Sequence, residues 1–353
     1  MVDYLNKKTN IITLTGVYPN KNDYSGIFIK NEIDRLKKRN YNIKIIHETG
    51  QLKHLKTFYK AYKEMSKKDY SIIHAHYIFP YGTIGAILSK IFKKPLIITA
   101  HGSDVNILLK KKILIPIMKW TFKKCYKLIC VSYHLKNDIK KIDNTIRLTV
   151  NPCSVDTGIF KNIPRKKCSK ILKLNPKNKY LLYVGNLTKN KRVNLIIKSI
   201  PKVLSKYPNT HLIILGKGEK EEELIDLTNR YKINNNVHFI KNVSNKLIPY
   251  YINLSEIVLL VSKKEGTPVI ATETCQCNKK IIITQPGELK KWKKYLPNLI
   301  IINEHDVKIL NDIIIKEINK RVTKNTNDEF KHYFSLKCSV DRLVSTYNEA
   351  LVQ

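Results

Sequence analysis

The chain has 353 residues, 43% of them hydrophobic, and a formal net charge of +37. That length exceeds what one hydrophobic core usually serves, so two domains are expected, and the apolar content excludes a disordered chain. Apolar runs such as Ile113–Met118 are short and broken by Pro116, which excludes a spanning helix of about 20 residues. Met1–Asn10 lacks the apolar stretch of a secretory leader, so a cytoplasmic protein is expected. Seven cysteines make an odd count with no C-x-x-C pair, and Cys275-x-Cys277 is too tight for the usual zinc spacing. A reduced chain with no metal is the economical reading.

Residues 1–160 carry 29 Lys/Arg against 11 Asp/Glu, and residues 161–353 carry 36 against 17. The positive excess is therefore spread along the chain and is not a basic tail. Only eight of the 65 cations are arginine. Lys, Ile and Asn are all abundant, and all three have A/T-rich codons, so genome composition supplies one explanation. Attraction to an anionic partner supplies the other: a membrane surface, a sugar nucleotide or a nucleic acid. No zinc-finger or basic-zipper pattern is present, so nucleic acid is not the expected partner.

In chain order the pattern is strand, loop, helix, repeated. Asn10–Gly16 reads as a strand. A loop containing Pro19, Asn20, Ser25 and Gly26 follows, then helical spacing over Ile27–Arg39. Asn42–Ile46 is the next strand, Leu52–Met65 a helix, Ser71–Ala75 a strand and Ile84–Phe92 a helix. Strands at Pro95–Ala100, Lys127–Val131 and Thr145–Val150 complete a first set. The pattern breaks over Asp156–Pro176, where Pro164, Arg165, Lys166, Lys167 and Pro176 suggest a linker. It restarts with strand Tyr180–Val184 and helix Val193–Ser205, and runs on to strand Lys280–Thr284. Such alternation predicts two doubly wound α/β units, each a parallel sheet covered on both faces. Ligands of such sheets bind outside the carboxyl ends of the strands, so two units facing one another would make one deep cleft.

The chemistry concentrates in Leu260–Lys280, LVSKKEGTPVIATETCQCNKK. Glu265-Gly266-Thr267-Pro268 follows a strand and should open a helix, with Pro268 in its first turn. The N–H groups of Gly266, Thr267 and Val269 would then form a helix N-terminus suited to phosphate. Glu273 lies eight residues after Glu265, about two helical turns, so both carboxylates can share one side. One could accept bonds from sugar hydroxyls and the other from ribose hydroxyls. A solvated helix with two ordinary glutamates fits the spacing equally well.

With these residues in place, the sequence resembles a retaining glycosyltransferase of family 4, on the GT-B fold of two Rossmann-like domains. Glu265 to Glu273 resembles the family's E-x7-E motif. Tyr183-Val184-Gly185-Asn186-Leu187-Thr188 through Lys191 resembles its V-G-R-L-x-x-x-K segment, and Leu215-Gly216-Lys217-Gly218-Glu219 its G-x-G turn. Ile73-His74-Ala75-His76 and Thr99-Ala100-His101-Gly102-Ser103-Asp104 resemble its N-domain signatures, and Asn151-Pro152-Cys153-Ser154-Val155-Asp156 is a worn version of its linker entry. The likeness is greatest to the bacterial enzymes that build capsular, teichuronic or O-antigen polysaccharides.

The resemblance implies roles by position. Lys191 would neutralise the diphosphate of the donor, a nucleotide-diphosphate sugar such as a UDP-sugar. The family usually has Arg where Asn186 stands and Gly where Arg192 stands, so Arg192 either supplies the second cation or is an ordinary helix residue. Glu265 would contact the donor sugar, Glu273 the ribose, and His101 the reacting centre. Gly26 would let backbone approach the phosphates. Asp104 is expected to cap or brace, and His74 and His76 to pack or to line the acceptor side. Fixed charge and peptide dipoles would stabilise the leaving diphosphate with no metal and no cofactor. Residues 1–160 would form the acceptor-binding domain and 161–327 the nucleotide-sugar domain, with 328–353 as helices crossing back. A sugar-nucleotide epimerase or a non-catalytic scaffold on the same fold is the alternative.

Two stretches suit an anionic membrane surface. Leu52–Lys68 carries Lys53, Lys56, Lys60, Lys63 and Lys67 on one stripe, and Ile107–Cys130 mixes seven lysines with Trp120 and Phe122. Basic amphipathic faces with aromatic residues bind headgroups, so peripheral attachment to the inner face of the membrane is expected. A lysine-rich surface helix is the plainer reading.

Overall fold

The computed structural model describes residues 9–20, 25–102, 105, 112–265, 267–303, 306–322 and 325–352. The chain divides into two compact units, residues 1–153 with 336–353 and residues 154–335. Among the described residues each unit is built on one six-stranded, fully parallel sheet.

In the first unit the strands are β1 (Asn10–Leu14), β2 (Asn42–Ile46), β3 (Ile72–His76), β4 (Leu96–Ala100), β5 (Lys127–Cys130) and β6 (Leu148–Val150), in the order β2-β1-β3-β4-β5-β6. Ile, Leu and Ala dominate β1, β3 and β4, and Ile11, Ile12, Ile72, Ile73, Ile97 and Ile98 are fully buried. Strands covered on both faces need such continuous apolar runs. The helices between strands turn one stripe inward; in Ile27–Lys37 it is Ile29, Ile33 and Leu36. The last helix, Leu336–Leu351, buries Val340, Leu343 and Tyr347 against the same side of this sheet.

In the second unit β7 (Lys179–Val184), β8 (Thr210–Leu215), β9 (Val237–Ile240), β10 (Ile257–Leu260), β11 (Lys280–Ile283) and β12 (Leu299–Ile301) lie in the order β12-β11-β10-β7-β8-β9. Both sheets therefore have the doubly wound architecture that the alternation predicts. Each reverses its winding once, between β1 and β3 and between β7 and β10. Ligands of doubly wound sheets bind outside the carboxyl ends of the strands at such reversals.

Three elements differ from the expectation. The segment read as a linker contains the helix Arg165–Leu172. Its apolar signal is thin, and it is held instead by Arg165, whose guanidinium donates to the carbonyls of Leu254 and Asn178 and pairs with Glu256. Sheet and helix continue past the last predicted strand, with β12 and the helix Val307–Glu317. The sixth strand spans only Leu148–Val150, because Asp143 draws the preceding residues into a turn by accepting bonds from the N–H and hydroxyl of Thr145.

Candidate active site

In the second unit, the loops after β7, β8 and β10 are stitched by backbone. Gly185 N–H donates to the Leu215 carbonyl and Leu187 N–H to the Lys217 carbonyl, both at 3.0 Å. Gly216 makes this approach possible, since a Cβ there would lie 2.0 Å from the Gly185 carbonyl oxygen. After β7 a short turn, Lys189–Lys191, leads to Arg192 in a left-handed conformation (φ 50°), and the helix Val193–Lys206 begins. Asn190 clamps this turn to the loop after β10. Its side-chain amide donates to the Lys264 carbonyl at 3.0 Å, and its carbonyl accepts from Lys263 N–H at 2.8 Å. The clamp brings Lys191 Nζ to 2.6 Å from Glu265 Oε1, an ion pair with little solvent around it. A lysine and a glutamate 74 residues apart in sequence thus meet where the winding of the sheet reverses.

The helix after Glu265 spans Val269–Gln276, with Pro268 as its extended cap (ψ 113°). Pro268 therefore stands just outside the first turn, and the chain from Glu265 to Glu273 is not one continuous helix. Glu265 leaves the loop toward Lys191, while Glu273 alone is carried by the helix; the eight-residue spacing does not put them on a shared helical face. Thr267 precedes the helix and Val269 opens it. Val269 and Ile270 have no carbonyl one turn back within the helix to accept from their N–H groups. Gly266 lies outside the described residues. The Glu273 carboxylate is largely buried, and among the described residues it has no hydrogen-bond or ion-pair partner; burial pushes it up to about 8. The Arg192 guanidinium likewise has no partner among the described residues, and the Asn186 carbonyl accepts from the Tyr183 hydroxyl at 2.8 Å. This end of the second unit thus carries an ammonium paired with Glu265, a guanidinium with no partner among the described residues and a helix N-terminus, groups of the kind that suit an anion.

In the first unit, a second cluster lies at the equivalent reversal. Gly26 caps the helix Ile27–Lys37 at φ 81°, and a Cβ there would lie 2.7 Å from the Val17 carbonyl oxygen. The position therefore accepts glycine and little else. His74 and His76 end β3, and His101 follows β4. Both nitrogens of His74 are committed, Nδ1 to the Tyr347 hydroxyl at 2.7 Å and Nε2 to the Thr99 hydroxyl at 2.8 Å. Its closeness to Glu32 and His76 therefore does not make an open set of metal ligands. His76 Nδ1 lies 3.1 Å from His101 Nε2, and the His101 ring packs between Phe28 and Tyr77. Burial holds His74 and His101 down at about 3 and His76 well below the ordinary histidine value. Burial thus favours the neutral ring in all three, which leaves each able to donate and to accept one hydrogen bond. Ser103 and Asp104 lie outside the described residues.

Sequence reasoning passed over two residues that organise these clusters. Asn190 carries no local signal, because its role is a clamp to a loop far away in sequence. Glu32 did carry one: it sits on the stripe Ile29, Ile33, Leu36, where a carboxylate interrupts an apolar face.

A model of the "Glycosyltransferase Family 4" matches residues 29–158 and one of "Glycosyl transferases group 1" matches residues 164–333. An uncharacterised glycosyltransferase of Methanocaldococcus jannaschii is 25% identical over 321 residues, 88% of this chain and 85% of its own. A putative teichuronic acid biosynthesis glycosyltransferase of Bacillus subtilis, TuaC, is 25% identical over 67% of this chain and 60% of its own. The crystal structure of Anabaena HepE with UDP-glucose superposes over 96% of this chain and 99% of its own, with a TM-score of 0.76 at 16% identity. The two adjoining family matches place the chain in glycosyltransferase family 4, and the two doubly wound parallel sheets with the likeness to solved structures give it the GT-B fold.

Proposed function

We propose that the protein is a retaining, metal-independent glycosyltransferase that moves a hexose from a nucleotide-diphosphate sugar to a glycan or lipid-linked acceptor in cell-surface polysaccharide synthesis. The Lys191–Glu265 pair beside the N-terminus of Val269–Gln276 carries this reading. A pyrophosphate would replace Glu265 as the partner of Lys191, with Arg192 and the N–H of Val269 completing its shell. Glu265, released, would accept bonds from hydroxyls of the donor sugar, and Glu273 from the ribose. As the bond from C1 to the phosphate oxygen breaks, negative charge grows on the leaving group, where these donors stabilise it more than in the ground state. The acceptor oxygen bonds to C1 on the same face and its proton passes to the leaving oxygen. The HepE complex with UDP-glucose supports the donor class, and TuaC supports the pathway class. Incubation with UDP-glucose and with other nucleotide sugars, with and without lipid-linked acceptors, tests it. Acceptor-dependent release of the nucleotide, with the anomeric configuration kept, is the expected result. An altered donor sugar without any acceptor would instead indicate an epimerase, and binding without turnover a scaffold.

A membrane-facing role for the first unit forms part of this reading. The helix Lys53–Lys67 buries Thr57, Ala61 and Met65 and leaves Leu55 and Tyr59 about two-thirds exposed beside its lysines. The helices Thr83–Phe92 and Ile115–Lys124 add exposed Ile87, Ile91, Ile117 and Trp120; residues 107–111 of the second basic stretch lie outside the described ones. Among the described residues no helix is long and apolar enough to cross a membrane. A lysine-framed apolar face suits an anionic bilayer at whose cytoplasmic side the protein would work peripherally. The protein should sediment with phosphatidylserine vesicles at low salt and be released at high salt. Equal binding to neutral vesicles would contradict the electrostatic part.

A further inference from the structure

Glu32 Oε1 and His76 Nε2 are both buried and both without a hydrogen-bond partner, and they face each other across 3.9 Å. Two unmatched polar atoms so placed are costly unless they serve one another, and hydrogen bonds at reacting centres are often long before substrate arrives. Closing the gap to hydrogen-bond distance takes a shift of about 1 Å. On the far side of the same ring, His76 Nδ1 is 3.1 Å from His101 Nε2, with the two ring planes only 20° apart. With the Glu32–His76 contact closed, Glu32, His76 and His101 would form an unbranched chain, one link per nitrogen, that ends at His101 Nδ1.

Such a chain has two arrangements. With Glu32 protonated, its O–H donates to His76 Nε2, His76 Nδ1–H donates to His101 Nε2, and His101 presents Nδ1–H. With Glu32 ionised, its carboxylate accepts from His76 Nε2–H, His76 Nδ1 accepts from His101 Nε2–H, and His101 presents a bare Nδ1. One arrangement converts to the other when a proton leaves His101 Nδ1 and each proton behind it advances by one link. The count balances: one proton departs, and the negative charge comes to rest on Glu32.

We propose that Glu32 is a positioning residue which, through His76, fixes which ring nitrogen of His101 carries the proton. The inference rests on the reading above that puts His101 beside the donor sugar, where an N–H and a lone pair have opposite uses. Glu32 also faces His74 on β3, Tyr347 on the last helix and Cys153 after β6, and each is neutral or bonded elsewhere. Among the described residues no lysine or arginine pairs with it. Burial lifts its carboxyl to about 8, so near neutral pH it is mainly the donor and His101 mainly the Nδ1–H form.

Nitrogen-15 NMR of histidine-labelled full-length protein reads the tautomer directly. In the wild type, His101 should exchange its protonated nitrogen, Nδ1 below about 8 and Nε2 above it. Glu32→Gln keeps the shape and does not titrate, so its tautomer should no longer change with pH; Glu32→Leu should lose the exchange as well. Unchanged His47 and His54 signals, from the same unit as Glu32, show that the variants are folded. A pH-dependent exchange that persists in Glu32→Gln, or a wild-type His101 tautomer that never changes, would overturn the proposal. Loss of turnover on every acceptor with the exchange intact would strike only the transferase reading.

Discussion

Replacing Lys191 by alanine should lower turnover of the sugar nucleotide by roughly 10²–10³, the usual cost of one preorganised donor to a developing oxyanion. The Asn190 clamp holds Lys191 beside Glu265, so its charge is already at the site and needs only to exchange Glu265 for the diphosphate when a donor binds. Placement before reaction means little reorganisation as charge moves onto the diphosphate. The alanine variant also leaves Glu265 buried and unpaired, and a carboxylate in that state repels an incoming phosphate. Lys191→Arg keeps the charge and should lose far less. Steady-state kinetics on the acceptor identified by product analysis checks this. Equal losses in the arginine and alanine variants would mean that shape, and not charge, matters at this position.

The second large effect concerns Glu273. Its carboxyl is raised by burial to about 8, against an ordinary value near 4.5. The folded protein therefore holds this proton more tightly than the unfolded chain does. The group's contribution to stability is complete below its ordinary value and is lost as pH rises toward about 8, by at most about 1.4 kcal/mol per pH unit. Hydroxyls that donate to the carboxylate favour its ionised form. Donor binding should therefore strengthen over the same window, by up to about tenfold per pH unit, and release a proton. The two slopes have opposite signs. Calorimetric titration with UDP-glucose in buffers of different ionisation enthalpy reads the proton release, and urea unfolding reads the stability. Glu273→Gln should flatten its share of both. A binding constant independent of pH in the wild type would remove Glu273 from the nucleotide site.

Much of the fold was legible because parallel strands buried on two faces must be apolar throughout. Segments such as IITL and LIITA stand out against lysine-rich surroundings, and they become β1 and β4. Register and winding order were not legible, since nothing in a strand's composition says which neighbour it takes. The helix Arg165–Leu172 was hidden for a related reason: a guanidinium reaching distant carbonyls holds it, and such partners leave no periodicity. In the site, motif order singled out Lys191 and Glu265, and the fold brings them together. Spacing alone did not separate Glu265 from Glu273, because the helix begins only after Pro268, whose extended conformation caps it, and so carries Glu273 alone. Glu32 was visible only as a polar break in a stripe, and its meaning depends on β3 and β4 lying side by side so that His76 and His101 can meet.

The proposed role of Arg192 would join stability to binding in one residue. A side chain in the left-handed region is strained by roughly 1–2 kcal/mol, and Arg192 sits there at φ 50°. At the start of a helix this conformation suits glycine, yet the chain keeps a guanidinium with no protein partner among the described residues. That arrangement is understandable if the group serves a ligand.

The most direct test of the whole account is a crystal structure of the protein soaked with UDP-glucose. Both phosphorus atoms should lie against the Lys191–Arg192 turn and the first N–H groups of the helix Val269–Gln276, with Lys191 drawn away from Glu265. A pyrophosphate bound elsewhere, with the Lys191–Glu265 pair undisturbed, would contradict it.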